Sequence, residues 1–195
     1  GRWQKVLGPK STAKSPQRYG GFKSVINHNV VLVYGTVGNE EENAWARTKA
    51  HYDAETFAYR GLGSLDVLPD SEFDANNNRN QNVIVYGNAD TNSAWPALLS
   101  TSPVTVRRGR VMVETRPEVG DDLGILLVRP RPGSNTALVG VVGGTGVQGM
   151  RLTSRLRYFV SGIAYPDLLV VGGSLLEQGI GAVRAAGFFA DDWTT

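Results

Sequence analysis

The side chains and amides that could do chemistry gather in four places, each directly after an apolar run. Thr36 follows VLVYG. Asn88, Asp90, Thr91 and Asn92 fall within GNADTN, Gly87 to Asn92. Gly143, Gly144, Thr145 and Gly146 form GGTG, and GGS (Gly172 to Ser174) follows LLVV. If the runs are strands of one open α/β sheet, these are their carboxyl ends, the edge at which such sheets bind ligands. Groups this small, polar and rich in backbone amides can hold an anion, a phosphate or a sugar hydroxyl. Small residues also collect wherever a strand turns tightly toward a helix, because glycine accepts backbone angles that other residues resist. Both readings stay open on the sequence alone.

Other chemistries find less purchase. GTGVQG, Gly144 to Gly149, matches the G-x-G-x-x-G of dinucleotide sites and follows the run ALVGVV. Its context does not fit: only 46 residues follow Gly149, and Asp167 precedes LLVVGG where an acid should close the strand. Met150 stands where a phosphate-binding P-loop needs lysine. No cofactor is expected. There is no G-x-S-x-G nucleophile elbow. His28, in the lead-in, and His51, within a helix, are the two imidazoles, so no catalytic residue is assigned. Two histidines 23 residues apart, with no cysteine, cannot make an ordinary zinc site. Asp90, Asp121 and Asp122 offer oxygens to a hard cation, but such loop carboxylates are ordinarily solvated, and no metal is expected. The R-x-R pairs Arg129/Arg131 and Arg155/Arg157 are too sparse for a nucleic-acid surface.

The elements that must position these residues are legible in outline. VLVYGT from Val31 recurs as VIVYGN from Val83, and each copy is followed by an Ala-Trp pair ending at Trp45 or Trp95. The two read as strand-loop-helix units of one sheet, with both tryptophans anchoring helices to it. NEEENAWARTKAHYDAETFAYRG predicts a helix from an Asn39 cap to Gly61. Glu42 completes a capping box, and the first-turn acids favour the positive end of the dipole. Trp45, Tyr52 and Tyr59 recur every seven residues and predict a core-facing stripe. SLDVLPD predicts a strand, and the asparagine-rich SEFDANNNRNQ a surface loop. VTVRRGRVMVE predicts a hairpin about RRG. ILLVRPR and ALVGVVGG, either side of PGSN, predict antiparallel neighbours. Helices are expected from Met150 to Phe159 and over SLLEQGIGAVRAAGFFADDW. The fold class is therefore α/β: a mixed, mainly parallel sheet flanked by helices, a flavodoxin-like or Rossmann-like sandwich with β-hairpin insertions.

A chain of 195 residues suits a single α/β domain over 30–195 preceded by an arm over 1–29. The first 39 residues hold six basic residues and no acid, whereas the remaining 14 basic residues face 18 acidic ones. The arm, coil wrapped on the surface, is expected to be solvated or to meet an acidic neighbour, since its charges are scattered singly. The absence of cysteine excludes disulfides and thiolate chemistry. No apolar run reaches the roughly 18 residues that a membrane span needs, and no signal-peptide pattern is present. The opening GRWQKV, without methionine, is expected of a piece of a longer polypeptide.

VLVYGT with NAW, VIVYGNADTNSAW, VRPRPGS, VGVVGGTG with GMRLT, and RAAGFF before DW together resemble the accessory region of large bacterial proteins. Those proteins belong to the prolyl-oligopeptidase and esterase branch of the α/β-hydrolases, and the likeness runs from about Gly20 to Trp193. It implies a secreted or periplasmic parent acting on esters or peptides, including plant-polysaccharide decorations. It also implies a partner, the hydrolase domain of the same polypeptide, which holds the catalytic residues. The expected function is thus a non-catalytic domain for interaction or substrate positioning. The alternative is a domain binding a glycan or phosphate-bearing ligand at the strand ends. Neither nucleic acid nor a membrane span is expected.

Overall fold

The apolar runs assemble into one seven-stranded sheet in a computed structural model that describes residues 12–61 and 63–195. In chain order its strands are β1 (Val30–Tyr34), β2 (Asp66–Pro69), β3 (Asn82–Tyr86), β7 (Gly124–Pro130), β8 (Leu138–Gly144), β9 (Leu168–Val171) and β10 (Val183–Gly187). Their spatial order is β10-β9-β7-β8-β3-β1-β2. The half β2-β1-β3-β8 is parallel. The other half is antiparallel, because PGSN folds β7 back along β8 and β7 in turn pairs with β9. The mainly parallel expectation thus holds for one half only. β3 and β8 are buried at every position, as sequences that are apolar on both faces require. Because β1, β3, β8 and β9 point the same way, their carboxyl ends share one edge.

A separate three-stranded antiparallel sheet comprises β4 (Val104–Arg107), β5 (Arg110–Val113) and β6 (Arg116–Val119). Arg108 and Gly109 make its first turn, as the RRG alternation predicts. The helices are α1 (Glu40–Gly61), α2 (Trp95–Leu99), α3 (Val147–Leu152) and α4 (Leu175–Gln178). None of the helices among the described residues is long and apolar enough to cross a membrane.

Helix α1 begins with the expected reciprocal cap. The Asn39 N–H donates to Glu42 Oε2 at 2.8 Å, and the Glu42 N–H donates to Asn39 Oδ1 at 2.9 Å. Its orientation, however, corrects the sequence reading. The buried face is Glu42, Ala46, Lys49, Ala50 and Asp53. Tyr52 and Tyr59 are 59% and 87% exposed, and Trp45 is half-buried. Both rows satisfy helical periodicity, so spacing alone cannot choose between them. What selects the polar row is a set of partners from distant segments, described below. Trp95, by contrast, is in the core.

The carboxyl-terminal segment also departs from expectation. Gly179 has φ +53° and ends α4 after four residues, and a short 3-10 turn leads into β10. VRAAG then pairs with β9, whose outer N–H and C=O groups would otherwise lack partners. The helix expected over Met150 to Phe159 starts earlier, as α3, and gives way at Thr153–Arg155 to a 3-10 turn; Leu156 is already extended.

The lead-in is not merely surface coil. Phe22 and Val25 are fully buried in a 3-10 turn, Phe22–Ile26, that packs on β3, β7 and β8. Its charges are used internally. Arg18 is buried and donates to the Ser134 carbonyl at 2.7 Å, and Lys23 donates to the Val160 carbonyl. Asp167, fully buried, clasps both ends of the described chain. It accepts from Lys14 Nζ at 2.8 Å, from the Gly21 N–H and from the Phe189 N–H at 2.9 Å. The Lys14 N–H also donates to the Asp191 carbonyl at 2.7 Å. Arg2, Lys5 and Lys10 lie outside the described residues.

Candidate functional site

The strand-end residues do meet at one edge, and their polar groups are spent on one another. The Asn92 amide donates to the carbonyls of Val33 and Tyr86, both at 3.1 Å, bridging the ends of β1 and β3. Its Oδ1 accepts from the Ala94 N–H at 3.0 Å. Gly35 packs so tightly that a Cβ there would lie 2.2 Å from the Thr91 carbonyl oxygen. The Asn88 amide donates to the Gly144 carbonyl at 2.9 Å, and Thr91 Oγ1 accepts from the Asn88 N–H at 2.9 Å. Thr145 Oγ1 accepts from the Leu123 N–H at 3.1 Å. Thr36 donates to Asp70. Asn88, Thr91, Asn92 and Thr145 are all buried.

The small sheet then closes over this edge. The Ala89 N–H donates to the Val106 carbonyl, and the Gly109 N–H to the Thr145 carbonyl, both at 2.9 Å. Asp90 is gripped by the Arg107 guanidinium and by the Arg108 N–H at 2.9 Å. Arg108 reaches on to Glu42 with Nε at 2.9 Å and Nη2 at 2.6 Å. That bidentate contact, more than the backbone cap, holds the Glu42 carboxyl below its usual range despite burial. The RRG tip thus occupies the side of the strand ends where an anion would approach.

The remaining sequence candidates fall as follows. Gly143, Gly144 and Gly146 line the β8–α3 corner. A Cβ at Gly149 would lie 2.1 Å from the Leu123 carbonyl oxygen, so the G-x-G-x-x-G spacing serves packing of the chain on itself. His28 is exposed at the amino end of β1, the opposite edge of the sheet, and His51 is exposed on α1 beside the Tyr34 ring. Asp122 accepts the Gly173 N–H at 2.9 Å. Among the described residues no group of three or more His, Asp or Glu side chains is arranged to hold a metal ion.

A second place, which sequence reasoning missed, lies under α1. Asp53, 1% exposed, accepts from Lys49 Nζ at 2.6 Å on Oδ1. On Oδ2 it accepts from the Tyr86 hydroxyl at 2.9 Å and from the Tyr158 hydroxyl. Tyr86 comes from β3 and Tyr158 from the segment after α3, so the network ties helix to sheet. Burial pushes the Asp53 pKa up and the Lys49 pKa down, each opposed by the charge of the other. Burial, and then the Asp53 charge, raise both tyrosines well above their usual value, fixing them as donors. Only the i, i+4 spacing of Lys49 and Asp53 in KAHYD hints at the pair, and that spacing reads equally as a solvated helix face.

Above this network runs a groove between α1 and residues 151–160. One cavity of about 530 Å³ is lined by Trp45, Lys49, Tyr52, Arg151 and Ser154, among others. It adjoins one of about 290 Å³ that shares Lys49, Tyr52 and Ser154 and extends to Arg60 and Arg157.

No family model matches the chain, and no curated protein or solved structure does either. The functional reading rests on the residues and their geometry.

Proposed function

We propose that the chain is a non-catalytic accessory domain of a larger bacterial serine hydrolase or esterase, secreted or periplasmic. In this role it contacts the hydrolase module, or positions an ester, peptide or decorated polysaccharide for it. We read the order β2-β1-β3-β8 as the core of a flavodoxin-like or Rossmann-like sandwich, in which a ligand would enter between the ends of β1 and β3. The observation that carries the reading is that this crevice is stitched shut. Asn92 spans it, and the Thr91 backbone fills the space left open at Gly35. The alternative, a glycan or phosphate at the strand ends, finds less support, since such a ligand would have to displace those bonds and the RRG tip. The hydrolase partner comes from the sequence likeness, not from the fold.

The test is hydrolysis of p-nitrophenyl acetate and a fluorogenic prolyl peptide by the purified chain. No turnover above buffer is expected. Turnover that a point change in this chain abolishes would overturn the proposal.

A further inference from the structure

We propose that the groove between α1 and residues 151–160 binds a small ring compound carrying a carboxylate. This inference stands independently of the hydrolase reading. Its floor is Lys49, whose side chain is 6% exposed yet lines both cavities. An ammonium has three protons to donate. One goes to Asp53, and the other two have no oxygen acceptor among the described residues; Nζ lies 4.9 Å from the Tyr158 ring centre and 5.6 Å from that of Tyr52. Arg151 stands at the same cavity with no ion-pair partner among the described residues, as do Arg60 and Arg157 farther along. The acids in the groove are Glu41 and Asp53, and Asp53 already accepts three donors. The groove therefore has spare positive charge.

Its walls supply the other half of the recognition. Tyr52 offers an exposed ring where α1 would ordinarily turn a polar residue outward. Trp45, lining the same cavity, carries a buried indole N–H with no acceptor among the described residues. A flat or puckered ring can lie on the Tyr52 face while its anion reaches Lys49 and Arg151, the usual division between apolar lining and a few fixed polar groups. About 530 Å³ is room for one such molecule. The anion is better a carboxylate than a phosphate. Attraction to Lys49 and Arg151 and repulsion from Asp53 both rise in proportion to the ligand's charge. The cost of taking that charge out of water rises with its square, which favours the singly charged group.

The ring can be a sugar or an aromatic nucleus, and titration calorimetry on the whole chain separates them. The probes are D-glucuronate and 4-hydroxybenzoate, their neutral counterparts D-glucose and phenol, and acetate and inorganic phosphate as bare anions. At least one ring acid is expected to bind with Kd below about 1 mM. Its neutral counterpart and both bare anions should bind at least about tenfold more weakly. Whichever acid binds names the ring. Arg151→Gln and Tyr52→Ser, at exposed side chains, should each weaken that binding by about tenfold while leaving the urea midpoint in place. Three results would each overturn the proposal: no binding by either acid at 10 mM (about ten times the expected Kd), equal binding of acid and neutral ring, or binding indifferent to both substitutions.

Discussion

Removing the Asp53 carboxylate should be among the most damaging single changes in the molecule. Asp53→Ala leaves Lys49 buried with no counter-charge, and two fully buried tyrosine hydroxyls without an acceptor. Breaking a buried ion pair from one side costs about 3–5 kcal/mol. Each orphaned hydroxyl adds about 1–3 kcal/mol. These terms share one network and do not add. Lys49 can also shed its proton, since burial already lowers its pKa. The expected loss is therefore about 4 kcal/mol, or roughly 8–16 °C in Tm for a domain of this size. Urea unfolding at pH 7, followed by circular dichroism and tryptophan fluorescence, measures it. Two further arms make the reasoning specific. In the variant, unfolded Lys49 binds a proton that the folded form resists, so stability should rise with pH up to the ordinary lysine value of 10.5. The double change Lys49→Met/Asp53→Leu removes both charges and should recover about half of the loss. A cost under about 1 kcal/mol for Asp53→Ala would refute the buried network. So would a double variant whose cost equals the summed costs of Lys49→Met and Asp53→Leu made singly.

Two further outcomes follow from the closed strand ends. Asn92→Ala strips a donor from the Val33 and Tyr86 carbonyls and should cost about 2–3 kcal/mol in urea unfolding; a change within about 0.5 kcal/mol would mean that the crevice is not held by this side chain. Glu42→Gln keeps a cap acceptor but loses the charge that Arg108 grips, and should cost about 1–2 kcal/mol at pH 7, toward the low end because Arg108 is half exposed. The folded pKa of Glu42 lies below its ordinary 4.5, so this contribution is present above pH 4.5 and is lost as pH falls through the folded value. Wild-type and Glu42→Gln urea midpoints should converge there, and parallel curves would remove Arg108 from the account.

Much of the scaffold was legible because local chemistry dictated it. The Asn39–Glu42 box, the RRG turn and the PGSN turn each act over a few residues, and each formed where the pattern placed it. Runs such as NVIVY are apolar at nearly every position, which leaves them little choice but an interior strand. What failed depended on partners far along the chain. The face of α1 that turns inward is chosen by Tyr86 and Tyr158, 33 and 105 residues from Asp53. No helical pattern contains that information, and the aromatic row was the stronger hydrophobic signal. VRAAG became an edge strand because β9 lay beside it, although Ala and Arg favour helix in isolation. The loops after β1, β3 and β8 meet at one edge, as the apolar runs before them imply. Sequence could not say whether the polar groups of GNADTN would face a ligand or one another, because both uses call for the same residues.

The clasp at Asp167 gives the molecule a direction of mechanical weakness. Lys14 and Asp191 are joined by a backbone hydrogen bond, and the Lys14 ammonium also holds the Phe189 carbonyl and Asp167. A pull that separates the two ends of the described chain therefore loads these few bonds first, one after another. Next in line is β10, which among the described residues pairs with β9 alone and can be peeled away pair by pair. At the amino end the lead-in passes directly into β1, which is held on both sides, by β2 and β3, and so should outlast β10. Under force the domain should therefore lengthen first from its carboxyl end.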